Sequence, residues 1–172
     1  MKKMFLPVLV ATMLLSIYSC SAQGDKSKRP SPPAKVSETL SSGVTVTIDY
    51  SQPSVKGRSI GKELAPYGKV WRTGANEATV FELSKDAMVG GKKLAAGKYG
   101  LYSIPNTTEW TIIFNKTWNQ WGTNYTEGDD AIRIKATPTK AKAFTEKMTF
   151  AINKNGTVTL MWGDTQVSFM VK

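Results

Sequence analysis

The densest run of side chains with binding chemistry is residues 66–79, PYGKVWRTGANEAT, where Arg72, Asn76 and Glu77 stand among turn formers. A guanidinium can grip a carboxylate, phosphate or sulfate through two parallel hydrogen bonds. Aromatic residues beside converging polar groups are typical of ligand pockets. The run therefore predicts a polar ligand site. One alternative stays open: the same residues form a buried polar corner in which Arg72 bridges loop carbonyls or Glu77.

Two further loops, residues 50–58 and 115–122, interrupt the surrounding pattern, and binding groups usually lie on loops held by a rigid scaffold. Arg58 and Lys69 add positive charge, which favours an anionic ligand, and exposed Trp rings stack on sugars. Packing in the core is the alternative for each loop Trp. The predicted ligand-binding residues are Arg58, Tyr67, Lys69, Trp71, Arg72, Asn76, Glu77 and Trp121.

Catalysis has few routes, because the chain contains no His and a single Cys. This composition excludes His-based triads and His-ligated metals. Glu77 and Asp130 are the candidate catalytic residues, since glycoside cleavage requires two carboxyl groups roughly 5–10 Å apart. Structural pairing with arginines is the alternative for both. No phosphate loop or dinucleotide fingerprint is present, so no cofactor is expected.

Two weaker arrangements complete the chemistry. Ser51 and Ser54 are each close enough in sequence to Lys56 for a Ser–Lys dyad, although spacing alone is poor evidence. Glu127 to Asp130 offers clustered oxygen atoms of the kind calcium prefers, but without EF-hand spacing. A solvated acidic turn is the expected structure there, and no metal site is predicted.

The alternation of apolar and polar residues from Val44 onward predicts that β-strands position these residues. We expect an all-β fold, a single antiparallel β-sandwich of jelly-roll or Greek-key type with about nine short strands. A turn is predicted at Gly163-Asp164, and a helical turn or two near residues 140–144. The expected strands, counting a hairpin at 87–94, are 44–50, 78–83, 98–104, 110–115, 131–136, 148–153, 157–162 and 166–171.

The N-terminus predicts export. Two lysines precede an uncharged, mostly apolar stretch, residues 4–15, which is too short for a comfortable membrane span. Residues 1–19 are therefore interpreted as a signal peptide, with cleavage before Cys20 and lipidation of that residue. Cleavage after Ala22, which would leave a soluble periplasmic or secreted protein, is the alternative. Tyr18 fits a lipobox poorly, whereas the position of the only cysteine favours lipidation.

The remainder divides into residues 20–40, a lipid-anchored flexible linker rich in Lys, Ser and Pro, and residues 41–172, one domain. Removing the two lysines of the signal lowers the formal net charge from +10 to +8. A basic protein held at a membrane through Cys20 suits anionic lipid or glycan. Export argues against nucleic acid as a partner.

Five runs resemble the DUF2911 family: residues 50–58, 66–79, 96–105, 110–116 and 120–122. The resemblance extends over about residues 44–172. It implies an exported protein of the kind found largely in Bacteroidetes-type bacteria. The family has no known function, so it supplies no catalytic residues to transfer.

The leading hypothesis is a non-catalytic binding module of the cell envelope, facing the periplasm or the cell surface, for an anionic or sugar-like ligand. The first alternative is a hydrolase that uses Glu77 and Asp130. The second is a structural or assembly protein of the envelope. The sequence does not predict an oligomeric state.

Overall fold

The structure, a computed structural model, describes residues 25–172, and the predictions for the signal peptide, Cys20 and Ala22 lie outside them. The described chain is all-β and antiparallel, as predicted. Its strands are β1 (Pro33–Thr39), β2 (Thr45–Ser51), β3 (Thr79–Leu83), β4 (Ala87–Val89), β5 (Lys92–Leu94), β6 (Gly97–Ile104), β7 (Trp110–Asn115), β8 (Asp130–Ala136), β9 (Pro138–Ile152) and β10 (Thr157–Met170). Short 3-10 helices cover Lys26–Lys28 and Glu127–Asp129. No helix within residues 25–172 has the length and apolar character needed to cross a bilayer.

Six strands form one antiparallel sheet in the order β1-β2-β3-β6-β7-β8. The β9–β10 hairpin packs across one face of this sheet, which we call the inner face, and β4–β5 forms a small separate hairpin. Phe169 of β10 lies 6.2 Å from Phe81 and 5.8 Å from Phe114, ring centre to ring centre. The hydrophobic core therefore lies between the large sheet and the long hairpin.

The opposite, outer face is partly covered by the loop of residues 116–126. Tyr102 and Ile113 point to this face and are nevertheless fully buried. The ring of Tyr125, from the loop, lies 4.9 Å from the ring of Tyr102. This second, smaller apolar cluster fixes the loop on the sheet and so determines which of its side chains reach solvent.

The predicted linker through residue 40 is wrong for residues 33–39, which form β1 and pair with β2 along their whole length. Ala34 and Val36 pack against the core. The strand lies at the edge of the sheet and buries only small side chains, so its sequence carries little hydrophobic signal.

Two predictions near the C-terminus are also wrong. Residues 140–144 lie within β9 and form no helical turn. The predicted turn at Gly163-Asp164 is a bulge inside β10, where the pairing register shifts on both sides of Gly163. Gly163 has a φ of +57°, and a glycine in this conformation makes a bulge without ending the strand.

Candidate functional site

Residues 66–79 meet the large sheet at the end of β6. The backbone N–H and C=O of Trp71 each pair with Ser103, at 2.8 Å. The Trp71 ring stacks on Trp162 at 5.3 Å and meets Trp110 edge-on at 6.2 Å. Successive side chains of an extended segment point to opposite faces, so Arg72 lies on the outer face. Trp71 is thus fixed largely by packing against the core.

Arg72 extends over Gly122 of the 116–126 loop. A Cβ atom at position 122 would lie 2.2 Å from the Arg72 Cδ, so only glycine allows this approach. The Arg72 Nε is buried, and no atom of residues 25–172 accepts a hydrogen bond from it. The predicted alternative, a corner in which Arg72 bridges loop carbonyls or Glu77, is not seen in the described chain: no carbonyl accepts from the Arg72 Nε, and the ion-pair partners of Glu77 are Lys26 and Arg29.

The other three arginines of the described chain have partners. Arg29 pairs with Glu77 at 2.9 Å. Arg58 donates to the carbonyls of Ser54 and Val55, at 2.9 and 3.2 Å. Arg133 donates from Nε to a carboxylate oxygen of Asp130 at 2.7 Å and pairs with Glu127 at 2.8 Å. Buried polar groups are nearly always hydrogen-bonded, so the orphaned Arg72 Nε calls for an explanation.

Arg72 opens into a cleft of about 300 Å³, which we call the Arg72 cleft; its lining residues are Val70, Trp71, Arg72, Gly122, Thr123 and Tyr125. This lining contains one cation and no carboxylate. Burial raises the pKa of Tyr102 beneath it, whereas a hydrogen bond from Gln120 and the charge of Arg72 partly offset that rise. The arrangement suits an anion and offers no carboxylate base for catalysis.

Asn76 and Glu77 lie beside the Arg72 cleft but do not line it. Asn76 has a φ of +61°; its carbonyl accepts from the Gly122 N–H at 3.0 Å and its side chain donates to Ser31 at 3.1 Å. Both oxygens of Glu77 accept from Arg29, and one of them lies 3.1 Å from the Lys26 Nζ. Asn76 therefore positions the loop, and Glu77 holds the N-terminal segment.

The ionisation of Glu77 argues against a role as a proton donor. Burial raises its pKa, but hydrogen bonds from its own backbone N–H, from Arg29 and from Lys26 outweigh that effect and lower the pKa to about 2. The carboxyl group is therefore ionised at neutral pH. A general acid must hold its proton near the working pH, which this environment opposes.

Asp130 belongs to a different polar cluster. Its side chain, 10% exposed, accepts from the Asn115 amide at 2.8 Å, the Tyr125 hydroxyl at 2.8 Å and the Arg133 Nε at 2.7 Å. These three donors occupy its oxygens, and Glu127 is paired with Arg133. Across residues 25–172, no group of three or more His, Cys, Asp or Glu side chains could hold a metal ion.

The structure does not bring Glu77 and Asp130 together. Glu77 precedes β3, Asp130 begins β8, and β6 and β7 lie between them in the sheet. Three strand spacings amount to on the order of 14 Å. Each carboxylate has its own cationic partners, so these two residues form no shared two-carboxylate cleft of the glycosidase kind.

The remaining predicted residues lie elsewhere. Lys69 is exposed, and the Tyr67 ring packs over Gly61, where a Cβ would come within 2.2 Å of it. Trp121 is 47% exposed and lies opposite Glu77 in a short antiparallel bridge. Ser54 lies buried opposite Lys147, again in an antiparallel bridge.

Sequence reasoning missed Thr123 and Tyr125, two of the residues that line the Arg72 cleft. The predicted loop ended at Gly122, and neither residue stands in a recognisable motif. Their position depends on the packing of the 116–126 loop on the outer face, which is a tertiary contact. The only available signal was the position of Gly122 itself, a glycine at the end of an unusual run.

No curated protein and no solved structure matches this chain. Residues 31–171 match the model of a family described as a protein of unknown function, DUF2911. The match begins just before β1 and ends just after β10, so it spans every strand of the described fold. The resemblance seen in the sequence is confirmed, and the chain belongs to the DUF2911 family.

Proposed function

We propose that this domain is a non-catalytic binding module and that the Arg72 cleft receives the anionic group of a small ligand. The observation that carries the proposal is the buried Arg72 Nε, for which residues 25–172 supply no acceptor. Leaving a buried donor unsatisfied costs about 1–3 kcal/mol, and more when the group is charged. A carboxylate, sulfate or phosphate in the cleft would offset that cost by pairing with the guanidinium through charge-assisted hydrogen bonds.

The dimensions and lining of the cleft restrict the class of ligand that it can bind. A volume of about 300 Å³ is at the lower limit for small-molecule pockets, which fits a single ring-sized unit. Val70, Trp71 and Tyr125 supply apolar surface, and Thr123 supplies a hydroxyl. A sugar acid or a similar compact acid, with one charged group and a ring, matches this combination.

The proposed setting is the bacterial cell envelope. The pattern of residues 1–22 supports export, either with a lipid anchor at Cys20 or with cleavage after Ala22. Small acidic sugars suit an exported protein of formal net charge +8 after removal of the signal, because opposite charges attract. Nucleic acid is not part of the proposal.

Thermal unfolding in the presence of anions tests the proposal. The protein is the chain beginning at Ser21, which keeps every described residue, and the probes are glucuronate, sulfate and phosphate, with glucose as the neutral control at matched ionic strength. A ligand that binds only the folded state stabilises it by about 2.7 kcal/mol at a hundred times its Kd. We expect at least one anion to raise the unfolding temperature saturably.

The matched variants are Arg72→Met and Arg58→Met. Both remove a guanidinium and keep most of the apolar stem, but only Arg72 lines the cleft. The stabilisation should disappear in Arg72→Met and persist in Arg58→Met. Equal stabilisation of both variants, or no stabilisation of the wild type, would contradict the proposal.

A further inference from the structure

The N-terminal segment of the described chain is docked on the domain. Lys26 and Arg29 pair with Glu77, at 3.1 and 2.9 Å. The Ser31 carbonyl accepts from the Asn76 side chain at 3.1 Å, and the Pro32 carbonyl accepts from the backbone N–H of Gln52, the residue after β2, at 2.9 Å. The point at which the chain enters the fold is therefore fixed beside Glu77.

This docking shortens any tether to a membrane. Cys20, the predicted lipidation site, precedes Asp25 by five residues. Five residues span at most about 18 Å even when fully extended. An anchor at Cys20 would consequently hold the Glu77 region within about that distance of the bilayer surface.

Two exposed tryptophans lie next to this entry point. Trp121 is directly opposite Glu77 in the antiparallel bridge, where paired side chains lie on the same side. Trp118 precedes it in the same loop; Trp121 is 47% exposed and Trp118 is 36% exposed. The Lys98 Nζ lies 5.0 Å from the centre of the Trp118 ring. An exposed indole ring beside a lysine, as in the Trp118–Lys98 pair, is typical of residues that bind at the lipid–water interface.

We propose that the surface formed by Trp118, Trp121 and Lys98, which we call the tryptophan surface, docks on an anionic lipid bilayer. A lysine near such a surface contributes about 1 kcal/mol of attraction, and Lys98 contributes less than that because its Nζ also lies 3.9 Å from a carboxylate oxygen of Glu82. The Lys98 ammonium covers one face of the Trp118 ring, which leaves that face unavailable to a stacked sugar. The same contact leaves the ring edge free to insert among lipid headgroups. The geometry therefore favours lipid over glycan.

This inference is independent of the Arg72 cleft and requires no ligand there. It explains why Trp118 and Trp121 are exposed, whereas Trp side chains are usually largely buried. It also predicts an orientation in which the outer face of the large sheet lies toward the membrane and the β9–β10 hairpin lies away from it. Docking by the domain would add to a lipid anchor by fixing the orientation of the domain on the bilayer.

Vesicle sedimentation tests the proposal with the chain beginning at Ser21, which has no lipid of its own. The vesicles contain phosphatidylcholine and phosphatidylglycerol in equal parts, or phosphatidylcholine alone. We expect binding to the anionic vesicles and weaker binding to the neutral ones. The double variant Trp118→Ala/Trp121→Ala should bind the anionic vesicles at least about tenfold more weakly, a change of ~1.4 kcal/mol.

The control is Met88→Ala/Phe144→Ala, which removes two exposed apolar side chains from the small hairpin and from β9. It should bind like the wild type. In the wild type, brominated lipid should also quench a fraction of the tryptophan fluorescence that is absent from Trp118→Phe/Trp121→Phe. Equal binding by the wild type and the Trp118→Ala/Trp121→Ala variant, or no preference for anionic vesicles, would overturn the proposal.

Discussion

Arg72 is a charged side chain that the fold positions without pairing. Its stem packs on Gly122, which fixes where it lies, while its Nε has no acceptor in residues 25–172. Arg133, by contrast, donates to Asp130 and Tyr125. Binding-site groups often cost stability in the unliganded protein, whereas structural groups contribute to it. The two arginines therefore differ in what their removal should do.

Replacement of each arginine by methionine measures this difference. Arg72→Met should leave the free energy of unfolding within about 0.5 kcal/mol of wild type or raise it. Arg133→Met should lower it by about 1–3 kcal/mol, because Asp130 loses a partner while it stays mostly buried. Urea unfolding gives both values. A loss at Arg72 as large as the loss at Arg133 would mean that Arg72 serves the fold.

Tyr125 predicts a dependence of stability on alkaline pH. Burial and the hydrogen bond it donates to Asp130 raise its pKa from 10.0 to about 12. The folded state thus favours the protonated hydroxyl, and this contribution is complete below pH 10 and is lost as the pH rises toward 12. Tyr125→Phe should lose less stability than the wild type across that interval, as measured by urea unfolding. Identical losses in the two proteins would contradict the assignment.

At the scale of elements, the 116–126 loop connects the Arg72 cleft to the tryptophan surface. Its Gly122 N–H donates to the Asn76 carbonyl, and its Tyr125 packs against Tyr102 of β6. These contacts hold the loop on the outer face, so both candidate surfaces depend on one glycine that allows a close approach.

Gly122→Ala should therefore destabilise the protein. The added Cβ would lie 2.2 Å from the Arg72 Cδ and 2.8 Å from the Asn76 carbonyl oxygen, which forces the loop outward. Overpacking of this kind costs about 1–3 kcal/mol. The control is Gly128→Ala, because a Cβ at that position meets nothing within 4 Å. This substitution should leave the stability nearly unchanged. Thermal unfolding compares them, and equal unfolding temperatures would contradict the described packing.

The elements were predictable where burial alternates strictly. Residues 44–50 carry that alternation, and β2 lies within a residue of its predicted bounds. Residues 110–115 form a short, mostly apolar run instead, and β7 matches its predicted bounds. β1 escaped prediction because an edge strand with Pro, Ser and Lys resembles a linker. The bulge at Gly163 was mistaken for a turn, since a glycine signals positive φ but not whether pairing continues beyond it.

The candidate site was predictable only in part, for a related reason. Arg72 and Trp71 were found because residues 66–79 break the strand pattern. Thr123 and Tyr125 were not, because they reach the Arg72 cleft through a loop that folds back over the sheet. Sequence spacing reports neighbours along a strand, and it carries little information on contacts between segments fifty residues apart.

At the scale of the whole molecule, the two faces of the large sheet have separate roles. The inner face forms the core with β9–β10, and the outer face carries the Arg72 cleft, the tryptophan surface and the docked N-terminal segment. Residues 25–32, which precede β1, thus join the same face. This arrangement makes the docking of residues 25–32 the feature that would orient the domain.

Glu77→Gln tests that docking. This substitution removes the negative charge with which Lys26 and Arg29 pair. Each exposed pair contributes about 1 kcal/mol or less, so the segment should detach more often while the domain stays folded. Trypsin should therefore cut after Lys26 and Lys28 faster than in the wild type, as followed by mass spectrometry. Glu63→Gln is the matched control, because the Glu63 carboxylate accepts from the Ser59 N–H and lies away from the N-terminal segment. Unchanged cleavage in Glu77→Gln would show that the segment is held in another way.

The central claim concerns the unpaired guanidinium, and the most direct measurement follows the arginine Nε–H resonances by NMR as glucuronate is added to the chain beginning at Ser21. The Arg58 and Arg133 Nε atoms already donate within the fold and serve as internal controls. The Arg72 Nε–H signal should shift saturably with glucuronate, whereas the Arg58 and Arg133 signals should change little. A site that accepts any compact anion should give the same result with sulfate. If the Arg72 signal moves no more than those of Arg58 and Arg133 with either probe, the Arg72 cleft is not an anion site.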